Sequence, residues 1–85
     1  MQPNTTVTLR FVEGSSDKQY SVTIQPSGDS FDVVAAWGRT GSTMQTAVKT
    51  ATPVPLEKAQ ALANKLLDEK RRKGYTDAAG GAAYS

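Results

Sequence analysis

The chain has 85 residues, with ten Lys and Arg against eight Asp and Glu, a formal net charge of +2, and neither cysteine nor histidine. A chain of this length forms one small domain with a limited core. The missing residue types exclude disulfides, thiolate zinc sites and any catalytic triad that needs a histidine base, so we expect neither an enzyme nor a bound metal or other cofactor.

Four stretches have strand character. Residues 6–11 and 20–25 alternate apolar and polar side chains, which predicts two strands that each bury one face. Residues 31–37 are apolar on both faces, which predicts a third strand but leaves its inward face open. Residues 43–52 are rich in threonine and alanine and predict a weakly patterned fourth strand whose register stays open. The short turns between these stretches indicate an antiparallel meander.

A helix follows the strands. Pro55 suits the first helical position, Glu57 places a negative charge at the helix N-terminus, and Gly74 is expected to stop the helix. One side of this helix is an apolar stripe that could cover a sheet, formed by Ala59, Leu62, Ala63, Leu66 and Leu67. The predicted fold class is therefore α+β, a single antiparallel sheet of four or more strands packed against one C-terminal helix.

The ends of the chain carry little apolar sequence. Residues 1–5 are predicted to form an N-terminal arm, residues 6–75 the domain, and residues 76–85 a disordered tail rich in alanine and glycine, although Tyr75 is expected to fold back onto the body. No run of about 18 apolar residues occurs, and residues 1–6 lack the features of a signal peptide. We therefore expect a cytoplasmic protein of bacterial type that makes no membrane contact and is a monomer or a weak dimer.

Trp37 is the chain's only tryptophan, and it ends the third predicted strand directly before Gly38. A tryptophan in so small a chain is commonly a core anchor. At the end of a strand, an indole can instead pack one face against the sheet and present the other to a base or a sugar. Arg39 would project to the same side if the strand continues, and there it could stack or pair with phosphate. Both interpretations of Trp37 stay open.

Several other candidates have a simpler structural explanation. Gly38 and Gly41 suit a tight hairpin turn and lack the lysine of a phosphate-binding loop. Asp29 and Asp32 lie at a turn, where aspartate is common, so no catalytic carboxylate pair is inferred. The basic residues 70–73 lie at a helix end, where cations are favourable, and helical geometry spreads them around the axis. Only some of them could reach one phosphate backbone.

The segment Trp37-Gly38-Arg39, followed by Gly41, resembles the signature of the WGR domain, which is named for that tripeptide. The resemblance extends over about residues 7–75 in the family's order. It includes Lys18-Gln19-Tyr20, which is similar to the lysine-x-tyrosine of the family's second strand, a helix that begins near Glu57, and the ending Lys73-Gly74-Tyr75.

The resemblance implies an antiparallel sheet crossed by one helix. WGR domains occur in certain poly(ADP-ribose) polymerases, where they help to sense DNA breaks, in proteins that resemble a molybdate metabolism regulator, and alone in bacteria. Carried over to this chain, the resemblance implies that Trp37 stacks at a DNA end, that Arg39 contacts phosphate or a partner, and that Gly38 lets the strand end bend. Asp17 stands where many members have asparagine, and we expect its charge to repel a phosphate.

We therefore predict a non-catalytic binding module that contacts nucleic acid weakly, at DNA ends or single strands, through the Trp-Gly-Arg rim. The alternative is a module that binds a protein partner through the same surface, because Trp and Arg are common hot-spot residues. No catalytic or metal-ligating residue is predicted. The predicted binding residues are Lys18, Tyr20, Trp37, Gly38, Arg39, Gly41, Lys70, Arg72 and Lys73.

Overall fold

The computed structural model describes residues 4–77. Its elements are β1 (Thr6–Glu13), β2 (Ser16–Ser27), β3 (Ser30–Arg39), β4 (Gln45–Val48), α1 (Leu56–Arg72) and β5 (Thr76–Asp77). The strands form one antiparallel sheet of five strands in the order β4-β3-β2-β1-β5, and α1 packs on one face of it. The predicted α+β class, with a meander of four or more strands and one C-terminal helix, is confirmed.

The core lies between this sheet and α1. Alternation along the strands sends every second side chain to the helix, so the third strand's inward face is the one that carries Val33 and Ala35, while Val34 lies on the opposite face. Trp37 continues the inward set towards the end of β3. The buried residues are Leu9, Tyr20, Val22, Ile24, Val33, Ala35, Ala59, Ala63 and Leu67.

The fourth strand is shorter than the predicted stretch 43–52. Its ladder with β3 runs from Gln45 to Val48, and Lys49 N–H still donates to the Val33 carbonyl at 2.7 Å. The hydroxyl of Thr50 then donates to Asp32 Oδ1 at 2.7 Å. The main chain rejoins the sheet at Val54, which exchanges two backbone hydrogen bonds of 2.8 Å with Phe31. Because β4 is short and lies at the edge of the sheet, its sequence shows almost none of the apolar alternation that marks the strands inside the sheet.

Helix α1 begins at Leu56, one residue later than predicted, because Pro55 is its extended N-cap. Three side chains spaced four residues apart, Ala59, Ala63 and Leu67, form its buried line. Two of them are alanines, which let the helix axis approach the sheet closely. Within the part of the chain that the structure describes, no helix is long and apolar enough to cross a membrane.

The chain reverses directly after α1. Tyr75 N–H donates to the Lys70 carbonyl and Gly74 N–H to the Arg71 carbonyl, each at 3.1 Å, which is a Schellman motif. Gly74 has a φ of 105°, a left-handed conformation that glycine adopts without strain. Tyr75 then packs on Phe11 with ring centroids 5.3 Å apart, as expected from its predicted return to the body.

The ends of the domain lie slightly outside the predicted boundaries. Thr76 and Asp77, which we assigned to a disordered tail, form β5 and pair with Arg10 and Leu9 of β1. That part of the tail prediction is wrong, because the Schellman reversal directs the chain along β1. Asn4, assigned to the N-terminal arm, donates a 2.7 Å backbone hydrogen bond to Ile24. The rest of the predicted arm and tail, residues 1–3 and 78–85, lies outside the described residues.

Candidate nucleic-acid interface

Trp37 stands at the end of the sheet where the last turns of α1 pass over it. Its indole is mostly but not fully buried and packs against the core, and its cross-strand partner Tyr20 is only 5% exposed. Trp37 is therefore both a packing residue and a partly open ring. The next inward-facing pair towards the sheet end is Lys18 with Arg39, so two cations follow the aromatic pair on the same face.

A cavity of about 260 Å³ opens between this end of the sheet and the end of α1, and we call it the first cavity. The strands supply its sheet side, and Lys70 and Tyr75, which flank the end of α1, complete it. Aromatic rings and cationic side chains therefore share one concave surface. The lining residues are Ser16, Asp17, Lys18, Trp37, Gly38, Arg39, Lys70 and Tyr75.

A second cavity of about 230 Å³ lies beside the first. Trp37 and Lys70 line both cavities and so form the wall between them. Lys49 lines only the second cavity, and its Nζ lies 5.3 Å from the centroid of the Trp37 ring. The Lys49 ammonium thus covers the indole from the second cavity, while the surface that Trp37 turns to the first cavity lies away from it.

Lys70 is the central cation of the interface. Its Nζ lies 4.9 Å from the ring centroid of Tyr20 and 5.7 Å from that of Tyr75, within the range of cation–π attraction. Burial lowers the pKa of Lys70, and the positive charges of Lys73, Lys49 and Lys18 lower it further against the opposing effect of Glu69. Burial also raises the pKa of Tyr20, with a smaller contribution from Glu69. The cations are close enough to repel one another, which favours an anion among them.

Asp17 lies in the wall of the first cavity but is already paired. Arg10 donates to both its oxygens, at 2.9 and 2.6 Å, and the Thr40 hydroxyl donates to Oδ1 at 2.6 Å. These hydrogen bonds, that of Arg10 first, lower the pKa of Asp17 to about 2. We expected the Asp17 carboxylate to repel a phosphate. Because the Arg10 guanidinium offsets its negative charge, this repulsion is much weaker than the sequence indicated.

Asp17 also connects the beginning of β2 to the end of β3, where Arg39 lies. Thr40 N–H donates to the Asp17 carbonyl at 2.8 Å, and Arg39 Nη2 donates a long bond of 3.4 Å to the Ser15 carbonyl. The backbone on each side of Arg39 is therefore held to β2, while its exposed side chain keeps only one weak contact of this kind within the described chain. Arg39 stays available to a ligand on a fixed backbone.

The structure gathers most, but not all, of the predicted binding residues. Tyr20 lines the second cavity beneath Lys70, and Lys73 is exposed but near enough to influence Lys70. Gly41 lies in an exposed turn and Arg72 on the exposed helix end, and neither is among the described residues that line the two cavities. The first cavity brings together Lys18, Trp37, Gly38, Arg39 and Lys70.

Two residues of the interface were missed by the sequence analysis. Tyr75 was expected only to fold back, and its place in the cavity depends on the Schellman turn at Gly74, for which the glycine was the one local signal. Lys49 reaches Trp37 through the register of β4, which the sequence left open. Among residues 4–77, no group of three or more acidic side chains is placed to hold a metal ion.

Comparison with known proteins identifies the family. The family model described as WGR domain matches residues 5–82, nearly the whole chain, including the predicted signature Trp37-Gly38-Arg39. Searches of curated proteins and of solved structures gave no match. Because the family model spans the sheet, the helix and both cavities, the chain belongs to the WGR domain family, a recognised family of non-catalytic modules.

Proposed function

We propose that this WGR domain is a non-catalytic module that contacts nucleic acid, at a DNA end or in a single strand, through the rim of the first cavity. One observation carries the proposal: the rings of Trp37 and Tyr75 and the cations Lys18, Arg39 and Lys70 line the same concave surface. Aromatic rings that stack bases and cations that follow the phosphates are the two components of single-strand recognition.

The charge at this surface supports an anionic partner. Lys18 and Arg39 are directly opposite on neighbouring strands, an arrangement of like charges that destabilises a sheet by itself. None of the ion pairs formed within residues 4–77 uses Lys18, Arg39 or Lys70. A phosphate group between them would relieve this repulsion, which gives the domain a physical reason to bind nucleic acid there.

The expected affinity is modest and depends on salt. If Lys18, Arg39 and Lys70 each neutralise one phosphate of a duplex, the logarithm of the binding constant should fall with the logarithm of salt concentration with a slope of about −2.7. Raising the salt from about 50 to about 200 mM would then weaken binding roughly 40-fold. A protein partner packed on the same rim would respond far less to salt.

The test is a titration of fluorescently labelled blunt, nicked and single-stranded DNA at several salt concentrations. Arg39→Ala should make the duplex slope shallower by about one, because one phosphate contact is lost. Lys58→Ala removes an exposed charge from the first turns of α1 and lines neither of the described cavities, so it is the matched control and should leave the slope unchanged. If no DNA form binds at ~100 μM in low salt, the proposal is overturned. Even non-specific DNA binding normally has a dissociation constant at or below that concentration.

A further inference from the structure

The first cavity has the dimensions and the chemistry of a pocket for one base. Building on the proposed function, we infer that the cavity takes a single unpaired nucleobase at the end of a strand, while the cations around it hold the neighbouring phosphates. The domain would then distinguish a strand end with an unpaired base from a blunt end.

The size of the cavity favours one ring system. Its volume of about 260 Å³ lies just below the range of roughly 300–1,000 Å³ that is typical of sites for drug-sized ligands. A base pair is too wide for such a space and cannot leave its own stack. An unpaired base has no partner to lose, so its entry into a protein pocket costs less than that of a paired base.

The walls of the cavity are those that a base requires. Trp37 and Tyr75 line it as aromatic surfaces, and Tyr75 is supported from behind by Phe11, with ring centroids 5.3 Å apart. Gly38 contributes backbone to the cavity wall, and a Cβ at this position would lie 3.2 Å from Met44 Sδ, so a larger residue would crowd the end of β3. Ser16 supplies a hydroxyl among the lining residues, which a base edge could use for a hydrogen bond.

The cations are placed for phosphates rather than for the base. Lys18 and Arg39 follow Trp37 towards the end of the sheet, and Lys70 stands across from them at the end of α1. When a base lies between these groups, the phosphate on its sugar is within reach of Lys18 and Arg39 on the sheet and of Lys70 on the helix. The two components of one terminal nucleotide, base and phosphate, thus meet the two kinds of side chain in the cavity.

The experiment compares DNA ligands that differ in one base. Three duplexes of identical sequence are titrated with the full chain: blunt, with a one-nucleotide overhang, and with the same overhang lacking its base but retaining the sugar and phosphate. Overhangs at the 5′ end and at the 3′ end are tested separately. Stacking of one base predicts binding about 5- to 150-fold tighter for one of the overhangs than for its abasic counterpart.

Trp37 supplies a second readout, because it is the only tryptophan in the chain. Its fluorescence, excited where tyrosine absorbs little, should be quenched by the complete overhang and much less by the abasic one. Tyr75→Leu should reduce the difference between the two overhangs, whereas Tyr75→Phe, which keeps the ring, should preserve it. The ligand comparison itself needs no variant, so it does not depend on whether Tyr75→Leu folds.

The outcomes separate this inference from the proposed function. Equal affinity for complete and abasic overhangs of both polarities, with equal quenching of Trp37, would overturn the base pocket but leave DNA binding intact. Loss of the difference in Tyr75→Phe as well as in Tyr75→Leu would also contradict the stacking role of the Tyr75 ring. Absence of binding to every duplex at low salt would overturn the proposed function and this inference with it.

Discussion

Replacing Trp37 by alanine separates its packing role from its role in recognition. Truncating a fully buried tryptophan costs about 3–5 kcal/mol. Trp37 is mostly but not fully buried, so we expect a somewhat smaller loss than for a fully buried ring, about 2–4 kcal/mol. A domain of 85 residues has a free energy of unfolding of roughly 4–13 kcal/mol, so the variant should remain folded at room temperature.

The Trp37→Ala variant should also bind DNA more weakly, independently of its loss of stability. Loss of the stacking surface is expected to weaken DNA affinity by about 1–3 kcal/mol, which is a factor of about 5 to 150. Circular dichroism in a urea titration measures the stability, and labelled DNA measures the affinity in the absence of urea. Trp37→Phe keeps an aromatic ring and should lose less of both.

Two results would refute this reasoning. An unfolded Trp37→Ala variant would show that the residue is mainly a core anchor, which was the simpler interpretation of its sequence. A folded variant with unchanged affinity for every DNA form would remove the indole from the binding surface, whatever its contribution to stability.

Two further predictions concern the elements that shape the cavity. Gly74→Ala should lower the free energy of unfolding by about 1–3 kcal/mol, because φ is 105° at Gly74 and the new Cβ would lie 3.1 Å from Phe11 Cε1. Urea unfolding measures this loss. An unchanged unfolding midpoint would contradict the prediction. Asp17 has a pKa of about 2 when folded, against an ordinary value of 3.8, so its stabilisation is present above about pH 3.8 and is lost as the pH falls to about 2. The melting temperatures of Asp17→Asn and the natural chain should therefore differ at neutral pH and converge near pH 2; a gap that persists in acid would exclude this ion pair as its cause.

The parts of the fold that could be predicted are those written in local periodicity. Residues 6–11 and 20–25 alternate because both strands lie inside the sheet and each has one face under the helix. The stripe on α1 is visible because the helix covers that same face. The edge strand β4 could not be placed, because only Ala47 of its four residues is shielded and nothing in the local pattern fixes its register.

The candidate site was predictable in its central part only. Trp37 and Arg39 are neighbours in sequence on one strand, and the resemblance to the WGR signature points to both. Tyr75, Lys49 and the pairing of Asp17 with Arg10 depend on contacts between distant segments, namely the reversal after α1 and the pairing of neighbouring strands. A carboxylate that reads as repulsive in the sequence is thus offset by an arginine seven residues earlier in the chain.

In the free domain, cations rather than apolar side chains cover the aromatic rings, and this arrangement keeps the site available to a ligand. Lys70 lies over Tyr20 and Tyr75, and Lys49 lies over Trp37. A cation over a ring contributes about 0.5–1 kcal/mol at an exposed site, less than the 1–3 kcal/mol of a stacked base. A displaced ammonium also gains a phosphate, whereas an apolar side chain in its place would lose about 1.5–3 kcal/mol on returning to water. In the first cavity, the Lys70 ammonium over Tyr75 is therefore a cover that a nucleic acid can replace at a net gain, whereas Lys49 lies over Trp37 on the side of the second cavity and need not move.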